Sequence, residues 1–352
     1  MTDISDSEFN AHIRRSMAWH FHESTGSPFW LDKRAALGFD PLTEVRSLAD
    51  LTRFPDVSAE LRTVPAQDLI PKGLADKPFR VYDSGGTTGS PKRIIDWDNR
   101  SRVIAWGRER LIESGVPANG NWLHLGPGGP HVIGFDTARY AALGGGIFYT
   151  VDLDPRWVKR LLAAGRPEES DAYVQHLLDQ AETILESQSV AVLNTTPPLL
   201  EAICARPRLY ELVRTKVQAI IWAGTSISAE SRRQLAEVFF PRAAVVGVYG
   251  NSLMGVAPQR RAEPGDLHPC VFEPFPDTTR LELVDESGEL VPYGERGRVR
   301  LHLVTEEMFL PNILERDTAI RVEPRKGSPV DGLADVQTYR TLDDVTVIEG
   351  VY

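Results

Sequence analysis

Short apolar runs alternate with helical patterns between residues 93 and 250, and this alternation constrains the fold more than any other feature. The apolar runs are far shorter than the roughly 20 residues that span a bilayer, so they predict buried strands: "IIDWD", "VAVLN", "VQAIIWA" and "AVVGVYG". Helices are predicted over 100–114, over 170–186, and over 229–240 with Ser228 as N-cap. Strand and helix units of this length predict an α/β fold, a sheet flanked by helices.

The pattern changes near residues 260 to 280. From 279 the stretch "TRLELVDESGELVPYGERGRVRLHLV" alternates strands with turns at 286–288 and 294–297, which predicts an antiparallel meander or a small barrel. We therefore expect an α/β core over 1–265 and a β-rich subdomain with a tail over 266–352.

Composition and charge restrict the partners. The 352 residues are 42% hydrophobic and 25% charged, with a formal net charge of -10, which leaves no basic face for a nucleic acid. No apolar run is long enough for a membrane span, and acidic residues stand where a signal peptide has a basic end. Cys204 and Cys270 lack metal-ligand spacing. We expect a cytoplasmic protein with no nucleic-acid or membrane partner and no metal held by cysteine or histidine.

A stretch rich in glycine and hydroxyl residues, "DSGGTTGSPKR", occupies 83–93. Such a loop between two strands can turn its backbone N–H groups inward and hold a polyphosphate, and Lys92 adds a positive charge. It differs from a Walker loop, since the lysine follows Pro91 and no helix opens directly after it. Taken alone, the stretch is equally compatible with a flexible turn.

The stretch nevertheless resembles, nearly position by position, the phosphate loop of acyl-adenylate-forming enzymes, the AMP-dependent synthetases and ligases. In that family the loop holds the β and γ phosphates of ATP while a carboxylate attacks the α phosphate. The resemblance implies ATP as a co-substrate and a catalytic contact from Lys92. It also implies phosphate contacts from Ser84, Gly85, Gly86, Thr87, Thr88 and Gly89.

Four further stretches follow in the family's order. "PGGPHVIG" resembles the segment that lines the acyl pocket, which implies that His131 contacts the acid. "WAGTSIS" resembles the loop that packs on adenine, which implies base contacts from 224–226, namely Gly224, Thr225 and Ser226. In "VYGNSLMG" the resemblance implies that Tyr249 stacks on adenine and that the next three residues approach the α phosphate: Gly250, Asn251 and the catalytic Ser252. "LERDTAIRV" offers Asp317 for the ribose.

The resemblance covers about residues 25 to 325. The stretch "FWLDKRAALGFDPLTEVRSLADLTRFPDVSAELR" looks like the start of phenylacetate–coenzyme A ligases, which activate arylacetic and aromatic acids. It implies the fold of the large N-terminal domain of these enzymes: mixed sheets flanked by helices, with a small antiparallel β subdomain. The acid is then an aromatic carboxylic acid.

Two departures change the expected chemistry. Most of the family has a glutamate that helps to hold Mg²⁺ where this chain has Leu253, so the phosphates and water would have to carry the ion. The family also continues for about 110 residues beyond the ribose aspartate as a mobile domain that supplies a catalytic lysine. Only 35 residues follow Asp317. We expect that domain to be absent, and no coenzyme A ligation by this chain alone.

Several functional hypotheses stay open. Short chains occur among stand-alone adenylation proteins of phenazine antibiotic biosynthesis and among self-acylating acyl-protein synthetases of reductase complexes. We favour the first, because residues 300–352 contain no cysteine that could be acylated. The activated acid would pass to a thiol, an amine or a reductase partner. The alternatives are a binding protein without turnover and an enzyme that borrows its lysine from a separate small domain.

Overall fold

A computed structural model describes residues 6–84 and 90–338. The α-helices are α1 (Asp6–His20), α2 (Pro28–Lys33), α3 (Pro41–Glu44), α4 (Ala66–Leu69), α5 (Asn99–Glu113), α6 (Val132–Leu143), α7 (Pro155–Ala163), α8 (Pro167–Ser187), α9 (Pro197–Cys204), α10 (Pro207–Lys216) and α11 (Ala229–Gln234). The strands are β1 (Arg80–Asp83), β2 (Arg93–Asp96), β3 (Trp122–Pro127), β4 (Phe148–Leu153), β5 (Val192–Thr195), β6 (Ala219–Ala223), β7 (Ala244–Asn251), β8 (Gly255–Pro258), β9 (Val271–Phe272), β10 (Thr279–Val284), β11 (Arg296–Val304), β12 (Phe309–Val322) and β13 (Gly332–Thr338). Short 3-10 turns occupy Arg34–Ala36, Ala49–Arg53, Glu60–Arg62 and Lys72–Leu74. In the described part of the chain, no helix is long and apolar enough to cross a membrane.

The chain forms two compact units. Among the described residues, unit 1 consists of 6–84, 90–103, 252–255 and 273–338, and unit 2 of 104–251 and 256–272. These compact units do not test where a domain boundary lies along the sequence. The division expected between residues 265 and 266 therefore stays a prediction.

The sheet of unit 2 has the strand order β4-β3-β5-β6-β7-β8, and the first five of these strands are parallel. Every residue of β3 and β5 is buried, as expected for parallel strands that are covered on both faces. On one face, Trp122 of β3 stacks on Tyr140 of α6 with ring centroids 5.8 Å apart. The α/β alternation predicted from the sequence is confirmed.

Helix α8 follows the predicted periodicity. Pro167 stands in its first turn, where the missing N–H costs no hydrogen bond, and the helix runs to Ser187. It packs on β3, β4, α7 and α10. Its buried apolar face consists of residues at helical spacing: Leu177, Leu178, Ala181 and Leu185. The helix predicted over 170–186 is confirmed.

Helix α11 begins as predicted and ends earlier. The Ser228 side chain accepts a hydrogen bond from the backbone N–H of Ser231 at 2.9 Å and caps the helix. Regular α-helix stops at Gln234, and residues 235–239 form a π turn in which Phe240 N donates to Leu235 O at 2.8 Å. The α-helix predicted over 229–240 is thus correct only in its first half.

Unit 1 contains the antiparallel strands β10, β11, β12 and β13 in that order, and a separate hairpin of β1 and β2. The turn after β10 is built by Asp285, whose Oδ1 accepts from the backbone N–H of Ser287 at 2.8 Å and of Glu289 at 3.0 Å. Gly288 there has a φ of 86°, which glycine adopts without strain. The predicted antiparallel meander is confirmed.

Aromatic rings form the centre of unit 1. Phe309, at the start of β12, is 1% exposed and lies 5.1 Å from the ring of Phe54 and 5.3 Å from that of Trp30. Trp30 also donates from Nε1 to the Phe309 carbonyl at 2.9 Å, which satisfies the one polar atom of a 2%-exposed indole. These contacts tie the N-terminal helices to the antiparallel sheet.

Candidate functional site

The carboxyl ends of parallel strands meet at one edge of a sheet, and this edge gathers the predicted site residues that belong to unit 2. The turn after β3 ends at His131. The segment 224–226 follows β6, and 249–251 ends β7. Strand β5 lies between β3 and β6, so residues 195–196, at the end of β5, lie at the same edge.

His131 lies at the start of α6 and is 8% exposed. Its backbone N–H donates to Gly128 O at 3.0 Å, which closes a turn around Gly129 with a φ of 56°. Gly128 N donates in turn to Asp152 Oδ1 of the neighbouring β4 at 2.8 Å. The turn is thus held by hydrogen bonds at both ends, and the imidazole is buried beside the carboxyl edge.

The segment after β6 turns sharply. Gly224 has a φ of 91°, a conformation that strains other residues, and Ser226 is exposed. The Oγ1 atom of Thr225 is buried and has no hydrogen-bond partner among the described residues. A buried hydroxyl without a partner is unfavourable in the free protein and is suited to a polar ligand atom.

Tyr249 belongs to a small aromatic cluster on one face of the sheet. Its ring centroid lies 6.0 Å from that of Phe272, and Trp222 lies 6.1 Å from Phe272 at an interplanar angle of 79°. A Cβ on Gly247 would come within 2.6 Å of the Trp222 ring, so this glycine makes room for the indole. The half-buried Tyr249 therefore presents an aromatic surface at the end of β7.

Sequence reasoning missed Thr195 and Thr196, at the end of β5. Thr195 is 2% exposed and Thr196 is 4% exposed. Within the described part of the chain, neither hydroxyl has a hydrogen-bond partner, and the same holds for the Trp222 Nε1 atom. Thr195 pairs in register with Trp222, so both side chains stand on the face of the aromatic cluster. The sequence signal that could have indicated these two threonines is the stretch "TTPP" at the end of a buried strand.

On the opposite face of the sheet, polar side chains form hydrogen bonds with each other and with the backbone. His124 Nδ1 lies 2.7 Å from Asn194 Oδ1, and its Nε2 lies 3.0 Å from Pro127 O. Thr137 donates to Ile133 O at 2.8 Å. Burial lowers the pKa of His124, so the ring is neutral at physiological pH. Both ring nitrogens of this histidine thus lie within hydrogen-bonding distance of protein oxygen atoms.

In unit 1, the ends of the glycine-rich loop are joined by a pair of hydrogen bonds. Ser84 N donates to Lys92 O at 2.9 Å, and Lys92 N donates to Ser84 Oγ at 2.8 Å. Both residues are half-buried and extend the β1–β2 hairpin by one pair. The predicted phosphate contacts from Gly85, Gly86, Thr87, Thr88 and Gly89 lie outside the described residues.

Ser252 and Leu253 also belong to unit 1. The Ser252 carbonyl accepts a hydrogen bond from Arg100 Nη2 at 3.0 Å. Leu253 is 4% exposed and lines a cavity of about 20 Å³, room for one water, together with Asp96 and Glu307. Leu253 is therefore an interior side chain.

Asp317 lies on β12, opposite Thr338 in the register with β13, and it is half-buried. Its assignment to the ribose stays a prediction.

The cysteines are free and poorly suited to nucleophilic catalysis. Burial raises the pKa of the Cys204 thiol to about 11 and that of Cys270 to about 12, so neither is a thiolate at neutral pH. Among the described residues, no group of His, Cys, Asp and Glu side chains could hold a metal ion.

Comparison with known proteins places the fold. No family model matches the chain, and no curated protein matches its sequence. Among solved structures, 2-hydroxyisobutyryl-CoA ligase in an open conformation with 2-HIB-AMP and CoA superposes with a TM-score of 0.66 and 16% identity, over 99% of this chain and 78% of that one. The same ligase in the postadenylation state with 2-HIB-AMP gives a TM-score of 0.67 and 16% identity, over 99% and 71%. The chain has the fold of this ligase. The predicted fold class is confirmed.

Proposed function

We propose that the protein uses ATP to convert an aromatic carboxylic acid to its acyl-adenylate, with release of pyrophosphate. One observation carries the proposal. The turn that ends at His131, the segment 224–226 and the end of β7 at 249–251 come together at one edge of a parallel sheet. The resemblance of the same three segments to those of acyl-adenylate-forming enzymes implies contacts with acid, base and α phosphate.

In the reaction, a carboxylate oxygen of the acid attacks the α phosphorus. A new P–O bond forms, the bond to pyrophosphate breaks, and its electron pair leaves with pyrophosphate. Lys92 and the loop around it would hold the departing phosphates, and Tyr249 would stack on the adenine. Ser252 would approach the α phosphate, Asp317 would bind the ribose and His131 would contact the acid.

Magnesium would accompany ATP through the phosphates and water, because Leu253 offers no oxygen ligand. A metal titration of ATP–pyrophosphate exchange measures this directly. We expect the exchange rate to reach half of its maximum at a higher Mg²⁺ concentration than in an enzyme whose site supplies a carboxylate ligand to the ion.

The aromatic acid is supported by the resemblance of the N-terminal stretch to phenylacetate–coenzyme A ligases, and a phenazine carboxylate is one candidate. The acyl group of the structurally similar ligase is 2-hydroxyisobutyryl. The acceptor of the activated acid would be a thiol, an amine or a reductase partner in the cytoplasm.

The test incubates the full chain with ATP, Mg²⁺ and a panel of aryl acids that includes phenazine-1-carboxylate and 2-hydroxyisobutyrate. Mass spectrometry detects acyl-AMP, and pyrophosphate release is measured in parallel. We expect acyl-AMP from at least one aryl acid and its loss in Lys92→Met, with the exposed Lys326→Met as the matched control. Absence of acyl-AMP across the panel contradicts the proposal.

A second candidate is a protein that binds the aryl acid or its adenylate without turnover. The burial of Leu253, where the family has a metal-binding carboxylate, favours this candidate. Calorimetry separates the two: binding of ATP and acid without pyrophosphate release indicates a binding protein.

A further inference from the structure

A buried carboxylate on the turn between β11 and β12 holds the start of helix α5. Glu307 is 6% exposed, and its two oxygens accept hydrogen bonds from the backbone N–H groups of Trp97 at 2.8 Å, of Asp98 at 2.7 Å and of Asn99. A negative charge is favourable at the N-terminus of a helix, where backbone N–H groups lack partners within the helix. Glu307, distant in sequence, thus fixes the place where α5 begins.

The turn that carries Glu307 is held by α1. Three successive backbone carbonyls of the turn are hydrogen-bonded to side chains of this helix, in the pairs His12 Nε2 with Val304 O at 2.7 Å, His20 Nε2 with Thr305 O at 2.6 Å and Trp19 Nε1 with Glu306 O at 2.8 Å. Within the turn, Thr305 Oγ1 donates to Met308 O at 2.9 Å and accepts from Met308 N at 2.8 Å. These contacts anchor the turn independently of α5.

Arg100, the second residue of α5, contacts both elements that are proposed to hold phosphate. Its Nη2 donates to the Ser252 carbonyl at 3.0 Å. Its Cζ lies 5.7 Å from the centroid of the Tyr82 ring, on the strand that leads into the glycine-rich loop, which is within the range of a cation–π contact. Its backbone N–H donates to Asp96 Oδ1, at the end of β2, at 3.3 Å. Arg100 is 5% exposed, so it acts through these protein contacts.

The turn after β7 and the β1–β2 hairpin also meet directly. Ser252 Oγ lies 3.5 Å from Asp83 O, at the end of β1. Leu253, next in the chain, lines the cavity of about 20 Å³ together with Arg100 and Glu307. These residues all belong to unit 1, so a shift of the start of α5 would move Arg100 and displace the Ser252 turn relative to the hairpin.

We propose that Glu307 is a positioning residue for adenylate formation, which sets the start of α5 so that Arg100 holds the Ser252 turn against the β1–β2 hairpin. This role rests on the proposed function. There, Ser252 approaches the α phosphate and the loop of the hairpin holds the departing phosphates, so their relative placement decides the alignment of the reacting atoms. A misplacement of about 1 Å costs on the order of 100-fold in rate.

Steady-state kinetics of ATP–pyrophosphate exchange, with the aryl acid that gives acyl-AMP, test this role. Glu307→Gln keeps the side-chain shape and one oxygen, whereas Glu307→Ala removes all three hydrogen bonds. We expect kcat to fall about tenfold in Glu307→Gln and further in Glu307→Ala, while the KM for the acid stays within about twofold. The exposed neighbour Glu306→Gln is the matched control and should behave like the wild type. An unchanged kcat in both Glu307 variants overturns the proposal.

A double-mutant cycle tests whether the effect passes through Arg100. Arg100→Lys keeps the charge and loses the planar guanidinium, and we expect it to lower kcat about tenfold. If Glu307 acts through Arg100, the two substitutions are not independent. The double variant of Arg100→Lys and Glu307→Gln should then also lose about tenfold. A loss of about 100-fold, the product of two independent effects, contradicts transmission through Arg100.

Hydrogen exchange separates this proposal from adenylation itself. Without substrate, backbone amides of 252–255 should exchange at least about threefold faster in Glu307→Ala than in the wild type or in Glu306→Gln, while strand β5 exchanges as in the wild type. If the wild type forms no acyl-AMP, the proposed function fails, and the exchange rates still test the link between Glu307 and the turn. Unchanged exchange at 252–255 overturns that link, whether or not the wild type is active.

Discussion

Arg100 donates a hydrogen bond from Nη2 to the Ser252 carbonyl at 3.0 Å, and so links helix α5 to the turn that follows β7. Arg100 is 5% exposed, and its Nε lies 4.0 Å from Asp96 Oδ1. A buried cation thus holds the backbone of a predicted catalytic residue.

Replacing Arg100 by Met should lower the free energy of unfolding by about 3 kcal/mol, since the substitution leaves the buried Asp96 carboxylate without this cation. Urea denaturation measures the loss. The control is Arg102→Met on the same helix, which removes an exposed ion pair and should cost less than about 1 kcal/mol. Equal stability of the two variants would show that the Arg100 contacts contribute little.

Thr195→Val and Thr137→Val should have opposite effects on stability. The Thr195 hydroxyl is buried and without a hydrogen-bond partner in the described chain, so replacing it by a methyl group should raise the unfolding free energy by about 1 kcal/mol. The Thr137 hydroxyl donates to Ile133 O at 2.8 Å, so its loss should lower the same quantity by about 1 kcal/mol.

The same two substitutions should also differ in their effect on ligand affinity, with the larger loss in Thr195→Val. If Thr195 serves a ligand, Thr195→Val should weaken binding of that ligand by calorimetry, whereas Thr137→Val should leave it nearly unchanged. A destabilised Thr195→Val would mean that the hydroxyl has a partner in the folded protein.

The stability of unit 1 should depend on pH through His20. Burial lowers the pKa of this imidazole from 6.5 to about 4, although its hydrogen bond to Thr305 O opposes the shift. As the pH falls below 6.5, the unfolded chain binds a proton that the folded chain does not bind. The unfolding free energy should therefore fall by about 2 kcal/mol between pH 7 and pH 5 from this group alone.

The measurement compares the pH dependence of urea unfolding in the wild type and in His20→Gln, which should lose this contribution. The exposed His22→Gln is the matched control and should keep the full dependence. Other buried histidines, such as His124 and His302, also have lowered pKa values, so the difference between variants is the informative quantity.

Leu253→Glu should destabilise the protein instead of restoring a metal ligand. A carboxylate at this 4%-exposed position loses its hydration, which should lower the unfolding free energy by about 3 kcal/mol. Leu253→Met keeps the volume and should cost less than about 1.5 kcal/mol. The prediction would be refuted if Leu253→Glu were as stable as the wild type and if its pyrophosphate exchange reached half-saturation at a lower Mg²⁺ concentration.

Local sequence patterns were sufficient to predict helices and strands of the fold and part of the candidate site. The α8 helix could be predicted because its apolar residues recur at helical spacing, and the end of β7 because an apolar run stops at Gly250 and Asn251. The stretch "TTPP" could have indicated Thr195, but the missing hydrogen-bond partner of its hydroxyl could not be predicted, since it depends on β5 lying between β3 and β6. That pairing joins strands distant in sequence, which no local pattern records. The π turn at the end of α11 likewise has no local signal.

Asn194 and Thr195 are adjacent on β5, yet they face opposite sides of the sheet. Asn194 is engaged with His124 and Thr137, while the Thr195 hydroxyl is not engaged within the described chain. On this strand, the structural hydrogen bonds and the buried hydroxyl without a described partner thus belong to neighbouring residues on opposite faces. Because Thr195 takes no part in the hydrogen bonds of Asn194, we expect substitutions at Thr195 to leave that network intact and to change the preference for any ligand bound on the other face. This arrangement gives evolution, or a protein engineer, a position where specificity can change independently of the fold.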